Sequence, residues 1–185
     1  MRRVALLLLF SVSTLDSQTA HTVSHRLGIA AAAPLPSVKI PQTTLRALEK
    51  NFDDRLLTLD PSDPVDMLGG TRALYIPDYG TIFTTELNLA VAPGFTPFGN
   101  NLYTPEFKAR LHQRKAAHVP KLEEAMKEMV RLSATKLPMS DDQKIIYAIR
   151  LRYFPLEDSS GLPAQIVMRA DKKSALNGDI KTEVE

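Results

Sequence analysis

The stretch TIFTTELNLAV, residues 81–91, decides how the rest of the chain is read. Successive side chains of a strand point to opposite faces. Phe83, Thr85, Leu87, Leu89 and Val91 therefore share one face, and Thr84, Glu86 and Asn88 the other. This alternation predicts a strand with one side on a core and one side in water. Upstream, residues 73–76 read as a shorter strand entered from a turn at Gly69-Gly70, and Pro77-Asp78-Tyr79-Gly80 supplies the turn between the two. The same alternation returns at residues 144–154. Ile145, Tyr147, Ile149, Leu151 and Tyr153 fall on one face, with Ala148, Arg150 and Arg152 on the other. Turn chemistry at Asp158-Ser159-Ser160-Gly161 then leads to a last strand at residues 165–170.

Two helices flank these strands. Leu45, Leu48, Phe52 and Leu56 recur at helical spacing, with Arg46, Glu49, Lys50 and Asp53 facing away; Thr43 or Thr44 is the expected cap. The second helix begins at Thr104-Pro105-Glu106, which combines a capping hydroxyl, a proline in the first turn and a carboxylate near the positive helix end. It runs to about Lys136 along the stripe Leu122, Ala125, Met126, Met129, Val130 and Ser133. Pro120 removes a backbone donor, which predicts a kink or break near Val119. Helix, two strands, long helix, two strands define the α+β class. The expectation is an antiparallel sheet of about four strands, as two hairpins, with both helices on one face. One domain spans residues 42–171, and the polar tail at 172–185 is expected to fray.

The first residues carry an address. Arg2 and Arg3 precede the apolar run Val4-Ala5-Leu6-Leu7-Leu8-Leu9-Phe10, and Ser11, Ser13, Ser17, Thr19 and Ala20 follow. That order is the pattern of a secretory signal peptide over residues 1–20. A membrane-spanning helix needs about 20 predominantly apolar residues, so this run is too short to span. The expected location is periplasmic or extracellular. Residues 21–41, with Pro34, Pro36 and Pro41, read as a linker.

Composition closes off several chemistries. The chain has no cysteine, which excludes disulfides, thiolate metal sites and cysteine catalysis. Its net charge is +2, and loss of Arg2, Arg3 and Asp16 with the leader leaves +1, so charge gives no argument for nucleic acid. His21 and His25 lie in the linker, and His112 and His118 do not share a helix face; neither pair has zinc spacing. Asp60, Asp63 and Asp66 recur without the glycine of a calcium loop, and Pro61 and Pro64 suit a rigid turn instead. No metal or cofactor is expected. There is no Gly-x-Ser-x-Gly elbow for acyl transfer.

What remains are surfaces. The loop at residues 92–103 is long and aromatic, and Phe95, Phe98 and Tyr103 either clasp a ligand or plug the core. Arg110, Arg114 and His118 fall at successive i, i+4 positions. They form a basic helix face that either meets water or meets an acidic partner. Glu86 with Arg150 and Arg152 forms a charged strand face, suited to cross-strand ion pairing or to a carboxylate ligand. The leading reading is an exported, non-enzymatic module that binds a protein, a glycan or a small ligand. One alternative is a small periplasmic hydrolase-like enzyme drawing acid and base from Glu86, His112 or Asp158. Another is a structural envelope protein.

Overall fold

The computed structural model describes residues 39–92 and 103–185. The leader, most of the linker, and Phe95 and Phe98 of the aromatic loop lie outside the described residues. Helix α1 (Gln42–Leu57) is followed by strands β1 (Asp66–Ile76) and β2 (Gly80–Asn88), then helix α2 (Pro105–Lys136). After it come β3 (Lys144–Leu151), β4 (Gln165–Asp171), helix α3 (Lys172–Asn177) and β5 (Lys181–Val184). The class is α+β, with one five-stranded sheet in the order β1-β2-β3-β4-β5.

The sheet is mixed rather than antiparallel. Each expected hairpin is antiparallel within itself, β1 with β2 and β3 with β4, but β2 and β3 are parallel where the hairpins join. The connection explains this. A helix of 32 residues returns the chain to the end of the sheet from which β2 started, so β3 must run beside β2 in the same direction.

The strand faces fall as the alternation requires through Leu87 of β2 and along β3, but not at the end of the first stretch: β2 stops at Asn88, which is buried rather than in water, and Val91, expected on the core face, lies past the strand and is exposed. Phe83, Thr85 and Leu87 of β2, Ile145, Tyr147, Ile149 and Leu151 of β3, and Ile166, Met168 and Ala170 of β4 are buried under the helices. From α1 come Leu45, Leu48, Phe52 and Leu56; from α2 come Leu122, Met126, Met129, Val130 and Ala134. Full burial of one such side chain contributes roughly 1.5–3 kcal/mol. At the centre Phe52 stacks on Phe83 at 4.9 Å and on Tyr147 at 5.4 Å between ring centroids. The Tyr147 hydroxyl meets Thr85 Oγ1 at 2.9 Å, and Thr85 meets Thr71 Oγ1 at 2.9 Å, so the polar atoms in this core satisfy one another. Burial pushes the Tyr147 phenol up to about 12.

Four local expectations are corrected. First, α2 runs through Pro120 without a break. Pro120 and Ala116, whose carbonyl loses its helical partner there, both lie on the exposed side, where water satisfies that oxygen. Second, α1 begins at Gln42 behind Pro41, with no side-chain cap. Its Glu49 and Asp53 do not simply face water. Glu49 Oε1 accepts from the Ala73 amide at 2.8 Å and Asp53 Oδ1 from the Thr71 amide at 2.7 Å. Third, β1 extends back through Gly69-Gly70 with register shifts on either side, rather than starting after a turn. Fourth, the polar tail is built. Asp171 caps α3 by accepting from the Ser174 amide, Ala175 is buried, and β5 pairs with β4. Two short elements leave little periodicity to read, and their order comes from neighbours such as Lys172, whose ammonium donates to the Leu137 and Met139 carbonyls.

Gly80 sits where β2 leaves its turn, at φ +141°, and a Cβ there would collide with the Lys144 backbone of β3. Gly80→Ala is therefore expected to cost about 2 kcal/mol or more, because both the dihedral and the strand contact are lost. A shift of several degrees in thermal midpoint would register it. An unchanged midpoint would mean that the β2–β3 junction yields without cost.

Candidate functional site

Two regions collect chemistry-bearing residues: the first half of α2 and the face of the sheet that carries no helix among the described residues.

The basic half of α2 is tied to neighbouring loops, with Lys115 and His118 buried and Arg114 and Lys121 paired at the surface. Arg114 grips Asp63, with Nε 2.9 Å from Oδ2 and Nη2 on Oδ1. Lys121 reaches Asp60 at 2.6 Å. His118 is buried between them. Its Nδ1 donates to the Leu89 carbonyl, and its Nε2 lies 3.6 Å from Asp60 and 3.8 Å from Asp63. Nearly two turns nearer the N-terminus, His112 Nδ1 bonds the Asp158 carbonyl at 3.1 Å. Lys115 forms an ion pair with Glu157 in which both side chains are only 1% exposed. Glu157 Oε2 also accepts from the Phe154 amide at 3.1 Å, and the Lys115 ammonium lies 5.0 Å over the Tyr153 ring. This stretch of helix thus fastens three segments: the α1–β1 loop, the end of β2 and the β3–β4 loop. Of the basic face, Arg114 and His118 serve this internal clasp, while Arg110 stays exposed.

The electrostatics follow from the contacts. The Lys121 ammonium and the Ser62 hydroxyl hold the Asp60 carboxyl far below the ordinary carboxylate range. Arg114 lowers Asp63, and Ser160 lowers Asp158. Burial depresses the Lys115 ammonium, and burial lifts the Tyr153 phenol to about 12. Tyr103 is buried beside Ala90 and Leu111, edge-on to Phe107 at 5.4 Å. Its phenol is raised by burial, with Glu157 adding to the effect. Tyr103 is thus part of a small second core. Asp60 accepts from Ser62 and Asp63 in a rigid turn, and no group of three or more His, Asp or Glu side chains among the described residues is arranged to hold a metal ion.

The open face of the sheet is the second region. Its rows run across the strands in register: Leu74, Ile82, Ile146, Arg169 and Lys181; then Arg72, Thr84, Ala148, Val167 and Glu183; then Glu86, Arg150 and Gln165. Glu86 sits beside Arg150 in register but pairs with Arg152; Arg169 pairs with Glu183. Arg72 and Arg150 have no ion-pair partner among the described residues. They line a groove of about 480 Å³ with Thr84, Glu86, Ala148 and Gln165, where Gly69 and Gly70 contribute no side chain. Glu86 is thereby set apart from His112 and Asp158, which the structure joins on the helix side. No helix among the described residues is long and apolar enough to cross a membrane.

Sequence reasoning missed Arg72 and Glu157, and it gives Lys115 only as one of the cations on the basic half of α2. Arg72 was legible in principle, since it alternates with Leu74 and Ile76 on β1. Nothing local marks the Lys115–Glu157 pair, whose members are 42 residues apart. Comparison with protein-family models, with curated proteins and with solved structures returns no match to this chain.

Two outcomes are expected. A buried ion pair broken on one side costs about 3–5 kcal/mol, whereas replacing both partners by apolar groups is often neutral. Glu157 Oε1 has no hydrogen bond among the described residues, which adds to the cost of keeping the carboxylate buried. Lys115→Met is therefore expected to destabilise strongly in urea unfolding, and Lys115→Met with Glu157→Leu to regain most of the loss. Asp60, Asp63 and Asp158 have folded pKa values below their unfolded ones. Their stabilisation is present above about pH 4 and disappears as pH falls through the folded values. Thermal midpoints recorded from pH 7 to pH 2 should fall below about pH 4, and Asp63→Asn should flatten that decline.

Proposed function

We propose that this protein is a non-catalytic binding module that takes an extended, carboxylate-bearing ligand on the open face of its sheet. The observation that carries the reading is the groove in which Arg72 and Arg150 stand without acidic partners beside Thr84 and Gln165. Guanidinium groups bind carboxylates bidentately, and a neighbouring apolar row, Leu74, Ile82 and Ile146, suits the body of such a ligand. Glu86, which lines the same groove in register with Arg150, disfavours a purely polyanionic occupant by like-charge repulsion. We further propose that the module works outside the cytoplasm. The support for that is the cation-then-apolar order of residues 1–20, and the mass of the mature N-terminus recovered from the native host tests it.

The binding reading is tested by amide resonance titration with two carboxylate probes, a uronic-acid oligosaccharide and an acidic peptide with apolar side chains. Each is run beside its neutral ester or amide. Shifts are expected at Arg72, Thr84, Ala148, Arg150 and Gln165 with one of the carboxylates, and Arg72→Ala with Arg150→Ala should weaken that binding at least about tenfold, equivalent to ~1.4 kcal/mol. Equal response to the neutral probe, or response confined to the α2 clasp, would overturn it.

A further inference from the structure

The two edges of the sheet are finished differently. On β1 the outward amides of Thr71 and Ala73 are occupied by Asp53 and Glu49 of α1, so that edge offers few free donors. On β5 all four residues are exposed, and among the described residues pairing is with β4 alone. Gln165 and Glu185 exchange backbone hydrogen bonds at 3.0 Å in both directions. In an antiparallel ladder such pairs alternate, so Glu183 and Lys181 also turn their backbone toward β4. The N–H and C=O groups of Thr182 and Val184 therefore point away from the sheet.

Charge on this edge is incomplete. Lys181 stands directly opposite Arg169 of β4, a like charge, and has no ion-pair partner among the described residues. Glu183 is held by Arg169 on the same face.

We propose that β5 pairs with β5 of a second copy of this chain, antiparallel, about a two-fold axis through Thr182. In that register Thr182 exchanges backbone bonds with its symmetry mate. Each Val184 N–H reaches the partner's Ile180 carbonyl. Lys181 of each copy faces the partner's Glu183, which supplies the acid that Lys181 lacks. Moving the axis to Glu183 would instead set two glutamates opposite each other, so charge selects the first register. Half-exposed Val184 faces the partner's Ile180, an apolar pair. A two-fold contact of this kind is self-complementary by construction. It joins the two sheets into one and is independent of the ligand groove. The strand is short and the contact small, so the association is weak, with a dissociation constant on the order of 100 µM.

Sedimentation of the full chain from about 10 µM to 1 mM is expected to show reversible dimerisation. Thr182→Pro removes an outward N–H that β4 does not use, so it should abolish the dimer with little change in thermal midpoint. Lys181→Glu sets two glutamates together and should weaken association more than tenfold. Adding Glu183→Lys to it restores opposite charges in the same register and should recover the dimer. A monomer throughout the concentration series, with β5 left for some other chain's strand, overturns the proposal. So does a dimer that survives Lys181→Glu, or one that the charge swap fails to rescue.

Discussion

An ammonium and a carboxylate, each 1% exposed, face one another where α2 crosses the β3–β4 loop. Neither Lys115 nor Glu157 is tolerable there without the other, because a lone charge removed from water costs several kcal/mol. That constraint sets the path of the chain around it. It holds the β3–β4 loop against α2, places Tyr153 over the ammonium, and leaves the first half of α2 to gather the remaining loops through His112, Arg114, His118 and Lys121. The apolar half of the same helix, from Leu122 to Ala134, covers the sheet. One helix thus divides its labour along its length, polar fastening first and core packing second.

That division bears on the proposed ligand surface. On α2, Arg114, Lys115 and Lys121 are engaged by Asp63, Glu157 and Asp60, Tyr103 belongs to a small core with Leu111, and Arg110 stays exposed. On the strands, Arg72 and Arg150 line one groove and have no ion-pair partner among the described residues. With α1, α2 and α3 packed on the other face, the open face leaves Arg72 and Arg150 beside an apolar row, the arrangement on which the proposed carboxylate-bearing ligand rests. Glu86–Arg152 and Arg169–Glu183 are the cross-strand pairs expected of any solvated face, each contributing tenths of a kcal/mol.

The sheet edges make a related point about how secondary structure is protected. A free edge is a row of unsatisfied donors and acceptors. On β1 the finish is intramolecular: Glu49 and Asp53, placed one helical turn apart on α1, take alternate amides of the strand. These carboxylates look like ordinary solvated residues in the sequence, since their partners at Ala73 and Thr71 lie 24 and 18 positions away.

Local periodicity alone determined a good deal of this protein. The alternation at residues 81–91 and 144–154 identified the buried faces of β2 and β3, the spacing of Leu45, Leu48, Phe52 and Leu56 identified the core face of α1, and Thr104-Pro105 located the start of α2. Glu86 and Arg150 were correctly placed on one open face because strand parity needs only neighbours. Only the tertiary structure decided that β2 and β3 run parallel, that α2 passes unbroken through Pro120, that α3 and β5 form at all, that His118 is buried and that Arg114 is held by Asp63. Each of these depends on contacts between residues far apart in the chain. A pattern of period two or 3.6 reports which side of an element is apolar, but it carries no information on what that side, or the charged side opposite, will meet.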